Sequence, residues 1–213
     1  MALATATIIG WSLLAGIVVD LVLFYVASLL GRKISGKTGL VPLISEEDKY
    51  PSLARFQLLL WTFVIVFAFV TISFVRIFSG VLASVSFTTN ILTLLGVSVA
   101  SPVISAGVSQ AKYSTGGKPL EDAKDYKSLY TMVEENTVFS VTRFQMLAWT
   151  FVSVIIFLAT LFTLLSNLPS PLSQLGLPDV NSALVTLSGI SQGAYLLGKG
   201  VSTPNKAAPS AAA

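Results

Sequence analysis

The sequence predicts an all-α polytopic membrane protein with five transmembrane helices: two parallel helical-hairpin repeats preceded by one N-terminal helix. Three observations predict it. The 213-residue chain is 54% hydrophobic and only 11% charged, with a mean hydropathy of +0.80; a soluble domain is about 25% charged. The charges are segregated, and the apolar runs between them approach the ~20 residues that a bilayer demands. A soluble protein with a very apolar core is the competing reading, and these run lengths disfavour it. Finally, one membrane-entry segment occurs twice. Residues 52–67, SLARFQLLLWTFVIVF, return at 140–155 as SVTRFQMLAWTFVSVI, with ten of the sixteen positions identical. Ser52 then falls on Ser140, an offset of 88, and Glu46-Glu47 fall on Glu134-Glu135.

Each span follows from the order of apolar runs and their borders. Thr5 to Leu30 is the first, closed by Gly31-Arg32-Lys33. A cleaved signal peptide is disfavoured there, because a basic n-region is missing, the apolar part is too long and Asp20 lies in its middle. Residues 31–53 read as a loop with Gly36, Gly39, Pro42 and an acidic run, and Ser52 after Pro51 is a candidate N-cap. Arg55 to Phe78 is the second span, closed by Arg76 and Gly80. Ile91 to Val108 is the third, after a short small-residue connection. Gln110 to Thr142 is the longest polar stretch, in which Leu120, Ala123, Tyr126 or Lys127, Tyr130 and Val133 recur at helical spacing. An amphipathic helix on the membrane surface and an ordinary connecting loop both fit it. Arg143 to Leu165 is the fourth span. A proline-rich loop from Asn167 to Val180 leads to the fifth, Asn181 to Gly200, and the small-residue tail reads as disordered. The expected units are therefore residues 1–31 (N-terminal helix), 46–109 (first hairpin), 110–133 (cytoplasmic linker), 134–202 (second hairpin) and 203–213 (tail).

Orientation follows from the basic residues, which favour the cytoplasmic side. Arg32, Lys33, Lys37, Lys49 and Arg55 flank the first loop; Lys112, Lys118, Lys124, Lys127 and Arg143 flank the third; Lys199 and Lys206 lie in the tail. The loops between have Arg76 alone. Twelve against one, on alternating sides, predicts a multi-pass cell-membrane protein with its N-terminus outside and its C-terminus in the cytoplasm.

The repeat extends to the returning helix. ILTLLGVS at 91–98 pairs with LVTLSGIS at 184–191, an offset of 93. Each unit is thus a bulky aromatic helix followed by one rich in Gly, Ser, Ala and Thr. Lipid supplies no hydrophobic drive between helices, so association relies on small residues and close backbone approach. The third and fifth helices, with Gly189 and Gly193 at small-xxx-small spacing, are expected to form the interior or a subunit contact.

Candidate functional residues divide into two sets. Arg55, Gln57 and Trp61 with Arg143, Gln145 and Trp149 mark the cytoplasmic border. Their functional reading is a polar ring or docking site; their structural reading is snorkelling arginines and glutamines bonded to neighbouring helices. Asp20, Ser98, Ser101, Ser105, Gly189, Ser191, Gln192 and Gly193 are helix-packing or pore candidates. Asp20 costs about 2.5–3.5 kcal/mol to insert at a helix centre and so should face protein or water. Pro102 is positioned to kink the third helix.

Composition also excludes chemistry. With no cysteine and no histidine, disulfides, thiolate nucleophiles, Cys/His zinc sites and histidine-based triads are ruled out. Gly189-Ile190-Ser191-Gln192-Gly193 only superficially resembles a nucleophile elbow, and GKTG at 36–39 lacks the P-loop spacing. Neither an enzyme, a cofactor, a metal nor nucleic-acid binding is expected. The expected partners are the lipid bilayer and either further copies or other membrane subunits.

The pattern S-L-x-R-x-Q-x-x-x-W followed by L-x-G-[IV]-S resembles a group of uncharacterised prokaryotic integral membrane proteins. It is carried by Ser52, Leu53, Arg55, Gln57, Trp61, Gly96 and Ser98, and again by Ser140, Arg143, Gln145, Trp149, Gly189 and Ser191, with Val141 departing from the leucine. The resemblance covers both hairpins and implies a bacterial or archaeal membrane protein. The expected role is a non-enzymatic membrane subunit acting through assembly; the alternative is an oligomeric ion channel or small-solute pathway lined by the third and fifth helices.

Overall fold

A computed structural model describes residues 2–45, 49–81, 84–114, 126–135 and 138–201. It is dominated by long helices: α1 (Ala2–Ser35), α3 (Leu53–Phe78), α4 (Thr89–Ser114), α5 (Val141–Ser166) and α6 (Ser182–Val201), with a short α2 (Leu40–Ile44) between the first two. Three apolar stretches among the described residues are long enough to cross a membrane: Thr5–Lys33, Leu53–Phe78 and Val141–Ser166. In hydrocarbon only a helix satisfies its backbone within one segment, which is why these stretches take this form. The apolar part of α4, Thr89–Ile104, is shorter.

The helices extend past the borders that polarity suggests. α1 includes Arg32 and Lys33 in its last turn, and α4 continues beyond Val108 to Ser114. Pro102 lies inside α4. The loop expected over 31–53 contains α2, whose Ile44 is fully buried. Of the segment considered as a surface helix, residues 115–125 lie outside the described residues. Its described end is a 3-10 turn, Leu129–Val133, followed by a two-residue antiparallel pairing of β1 (Glu134–Glu135) with β2 (Val138–Phe139). The tail beyond Val201 is likewise outside the described residues.

α3 touches α4 and α5, and α6 touches α4 and α5, so these four close into a bundle in the order α3–α4–α6–α5. Direction follows from side-chain ties. Gln57 near the start of α3 meets Met146 and Thr150 near the start of α5, so α3 and α5 run parallel. Thr88 and Asn90, at the start of α4, both bond Asp179 just ahead of α6, so α4 and α6 also run parallel, opposite to the first pair. The core between them holds Trp61, Ile72, Leu94, Phe157, Leu161 and Val185. Trp61 meets Phe157 edge-on at 6.1 Å between centroids, the geometry that the ring quadrupoles favour.

α1 packs outside this bundle, along α3. The contact depends on Gly16: a Cβ there would lie 2.6 Å from Thr71 Oγ1 and 2.9 Å from a Phe67 ring carbon. Elsewhere α1 is open, with Trp11, Leu21 and Tyr25 about three-fifths exposed. A surface this apolar is unstable in water but suits lipid.

A second, smaller core sits at the end where α3 and α5 begin. Ile44, Leu53, Ala54, Met132 and Met146 form it. The local construction is the same ahead of both helices. A short helical turn ends at Ile44 or Val133, and its carbonyl accepts the backbone N–H of Ser52 or Ser140, each at 2.8 Å. Between turn and serine the chain doubles back, through the Ser45–Pro51 bridge in one case and Glu134–Phe139 in the other.

Candidate functional site

The polar groups of this chain converge at the seams between helices and at the two ends of the bundle. At the α2 end, the Arg55 guanidinium donates to the Ser45 carbonyl and that of Arg143 to the Glu134 carbonyl. Both arginines brace the turn that precedes their own helix. The two turns also touch each other: the Lys127 N–H donates to Lys49 O at 3.2 Å. Lys37 lies 5.6 Å from the Tyr126 ring centre and Lys127 5.8 Å from that of Tyr50, within cation–π range.

The two glutamines part company. Gln57 is buried, and its Nε2 donates to Met146 O at 3.3 Å and to Thr150 Oγ1. Thr150 in turn donates to Met146 O at 2.8 Å. Gln145 is exposed. Trp61 is buried against Phe157, while Trp149 is only half-buried. The six border residues therefore do not form one ring: Gln57 and Trp61 face inward, Gln145 faces out, and the two arginines reach back to the turns ahead of their own helices.

Of the helix-packing or pore candidates, Ser98 on α4 and Gln192 on α6 are buried, and Ser188 joins them on α6. The Ser98 hydroxyl has no hydrogen-bond partner among the described residues. Ser101, Ser105 and Ser191 lie on the same two helices, but their side chains are outside the described residues. Gly189 and Gly193 do not mark a close approach within the chain: an added Cβ at either meets nothing within 4 Å among the described residues. The tight glycine is Gly16. Asp20 is half-buried on α1, beside an open groove of about 250 Å³ lined by Ile17, Leu21, Phe24 and Phe63. Its Oδ1 is shielded and has no partner among the described residues.

Two functional groupings at the far end escape sequence reading. Arg76, 3% exposed, donates from Nη1 to Ser84 O and from Nη2 to Ser173 O, each at 3.0 Å. It thereby joins the loop after α3 to the loop after α5. Asp179 accepts from Thr88 Oγ1 at 2.6 Å and Asn90 Nδ2 at 2.9 Å. The available signal was that Arg76 is the lone cation between Arg55 and Lys112. Among the described residues no cluster of three or more acidic groups is placed to hold a metal ion.

These contacts fasten helices to one another and loops to loops. No family model, no curated protein and no solved structure matches the chain.

Proposed function

We propose that this protein is a non-enzymatic integral membrane subunit that acts through assembly, with further copies or as an anchor in a larger membrane complex. One observation carries the reading: the polar side chains tie seams, while broad apolar faces are left without a protein neighbour. Val141, Phe144, Ile155 and Ile156 on α5, and Leu92, Val99 and Val103 on α4, are all 45% exposed or more. In this reading α4 and α6 complete the crossings begun by α3 and α5, giving five spans and two parallel hairpins. The basic turns ahead of α3 and α5 lie in the cytoplasm, and the Arg76–Asp179 end lies outside. In this reading the source is bacterial or archaeal, as the resemblance of the repeat signature implies.

The test is the mass of the particle extracted in mild detergent, with every chain in it identified by peptide sequencing. A defined multiple of this chain, or a stoichiometric complex with other membrane chains, is the expected result. A monodisperse monomer would overturn the reading.

A pathway lined by α4 and α6 is the second reading. Ser98, Ser188 and Gln192, buried on these adjoining helices, favour it. It expects conductance in a planar bilayer that Gln192→Leu reduces; purified protein that stays silent under voltage and tension counts against it.

A further inference from the structure

Deepening the assembly reading, on which this rests, we infer that the chain associates with further copies of itself head-to-tail. The contact would repeat between copies the α3–α5 contact within each copy. The partner surfaces are the Gln145/Trp149 face of α5 in one copy and the Leu58/Thr62/Phe69 face of α3 in the next.

The inference starts from the offset of 88 between the two sequence copies. Inside the chain, α3 presents Gln57 and Trp61, and α5 receives them with Met146, Thr150 and Phe157. Applying the offset gives the counterpart of each surface. Gln57 and Trp61 correspond to Gln145 and Trp149 on α5; Met146, Thr150 and Phe157 correspond to Leu58, Thr62 and Phe69 on α3. Glutamine, tryptophan, threonine and phenylalanine are all retained, and methionine is replaced only by leucine. The acceptor is already built: Thr62 donates to Leu58 O at 2.7 Å, as Thr150 does to Met146 O at 2.8 Å. Neither counterpart surface is fully covered. Gln145 and Thr62 are exposed, and Trp149 and Leu58 are half-buried; Phe69 is half-buried with one ring face stacked on Phe87 at 5.4 Å, so only the rest of its ring is offered to a neighbour.

The second layer of the bundle carries the same asymmetry. α6 buries Val185 and Gln192, whereas their counterparts at the offset of 93, Leu92 and Val99 on α4, are 55% and 50% exposed. A two-fold relation between the hairpins would have buried both members of each pair. A one-way relation leaves one donor face and one acceptor face per chain without the helix that covers its counterpart.

The remaining helix does not block this association. α1 lies against α3 at Gly16 and Phe24, which meet Phe67, Thr71 and Phe63, a flank distinct from both Gln57 and Thr62. The α5 counterparts of these residues, Phe151, Ile155 and Ala159, are exposed. Adjacent residues of a helix stand about 100° apart, so the Gln57 and Leu58 faces do too. Taken as the interior angle of a polygon of helices, that closes at roughly four to six, or two to three copies with two such helices each. α1 then falls on the rim, in lipid. Identity of partner follows from the chemistry: an amide donor meeting a threonine-capped carbonyl, and an indole meeting a phenyl ring, both already paired once inside the chain.

The chain has no native cysteine, so introduced thiols report unambiguously. Thr62→Cys and Gln145→Cys replace exposed residues and are made in separate, differently tagged full-length chains. These are co-expressed, and intact membranes are treated with a short thiol-specific bifunctional reagent. A species of twice the 22.6 kDa chain mass, carrying both tags, should form in the mixture and be absent when either variant is expressed alone. Cross-linking of a single variant with itself would mean a two-fold contact and overturn the inference. So would no cross-link in the mixture alongside a native particle of several copies; the assembly reading would survive that result. A monomeric native particle would remove both.

Discussion

At the scale of single residues, the buried polar groups act as fasteners whose value depends on how many partners they reach. Arg76 reaches two carbonyls from separate loops, and its guanidinium spans them because its donors are fixed in a planar fork. Removing it leaves both carbonyls without this donor; a hydrogen bond to a charged group contributes about 1.5–3 kcal/mol. Arg76→Ala is therefore expected to lower the detergent-solubilised protein's unfolding midpoint clearly. Arg76→Lys should recover only part, since one ammonium does not match the fork. Full recovery by lysine in a thermal melt would show that charge alone matters there. The same scale explains why sequence reading took the two RFQ motifs as equivalent. Identical residues specify identical chemistry, but burial of Gln57 and exposure of Gln145 depend on which helix stands opposite.

At the scale of elements, α1 is held by shape. Its contact with α3 needs the missing side chain of Gly16, whereas Gly10 faces open space among the described residues. Gly16→Leu should displace α1, exposing the α1–α3 connection to protease and lowering the melting temperature. Gly10→Ala should change neither, or stabilise slightly by improving helix propensity. Equal effects of the two would mean that α1 docks elsewhere. The small-residue expectation named Gly189 and Gly193, at which an added Cβ meets nothing within 4 Å among the described residues, whereas the isolated Gly16, which no periodic pattern marks, sits in a tight contact. Spacing identifies a stripe; only the neighbouring helix shows whether the stripe is a contact. The short α2 and the 3-10 turn before β1 were illegible for a related reason. Five residues are too few for a periodic pattern, and their structure is imposed by burial of Ile44 and Met132 in the small core.

At the scale of the whole molecule, the charge distribution predicts orientation. A single cysteine in place of Ser170, in the α5–α6 loop, should react with a membrane-impermeant maleimide added to intact cells. One in place of Lys37 should react only after permeabilisation; the reverse pattern would invert the topology. What the sequence by itself determined is the helical, membrane-type character, the borders of the apolar runs and the presence of a duplicated segment. Each of these rests on composition and periodicity, which the chain carries locally. Tertiary structure alone decided the bundle order α3–α4–α6–α5, the placing of α1 on α3, and the burial of one RFQ copy beside exposure of the other. The physical reason is that two copies of one sequence present the same faces, and a face becomes interior only when another helix covers it. With a one-way contact between copies inside the chain, one face of each kind is covered and one of each kind is left to lipid or to a neighbour.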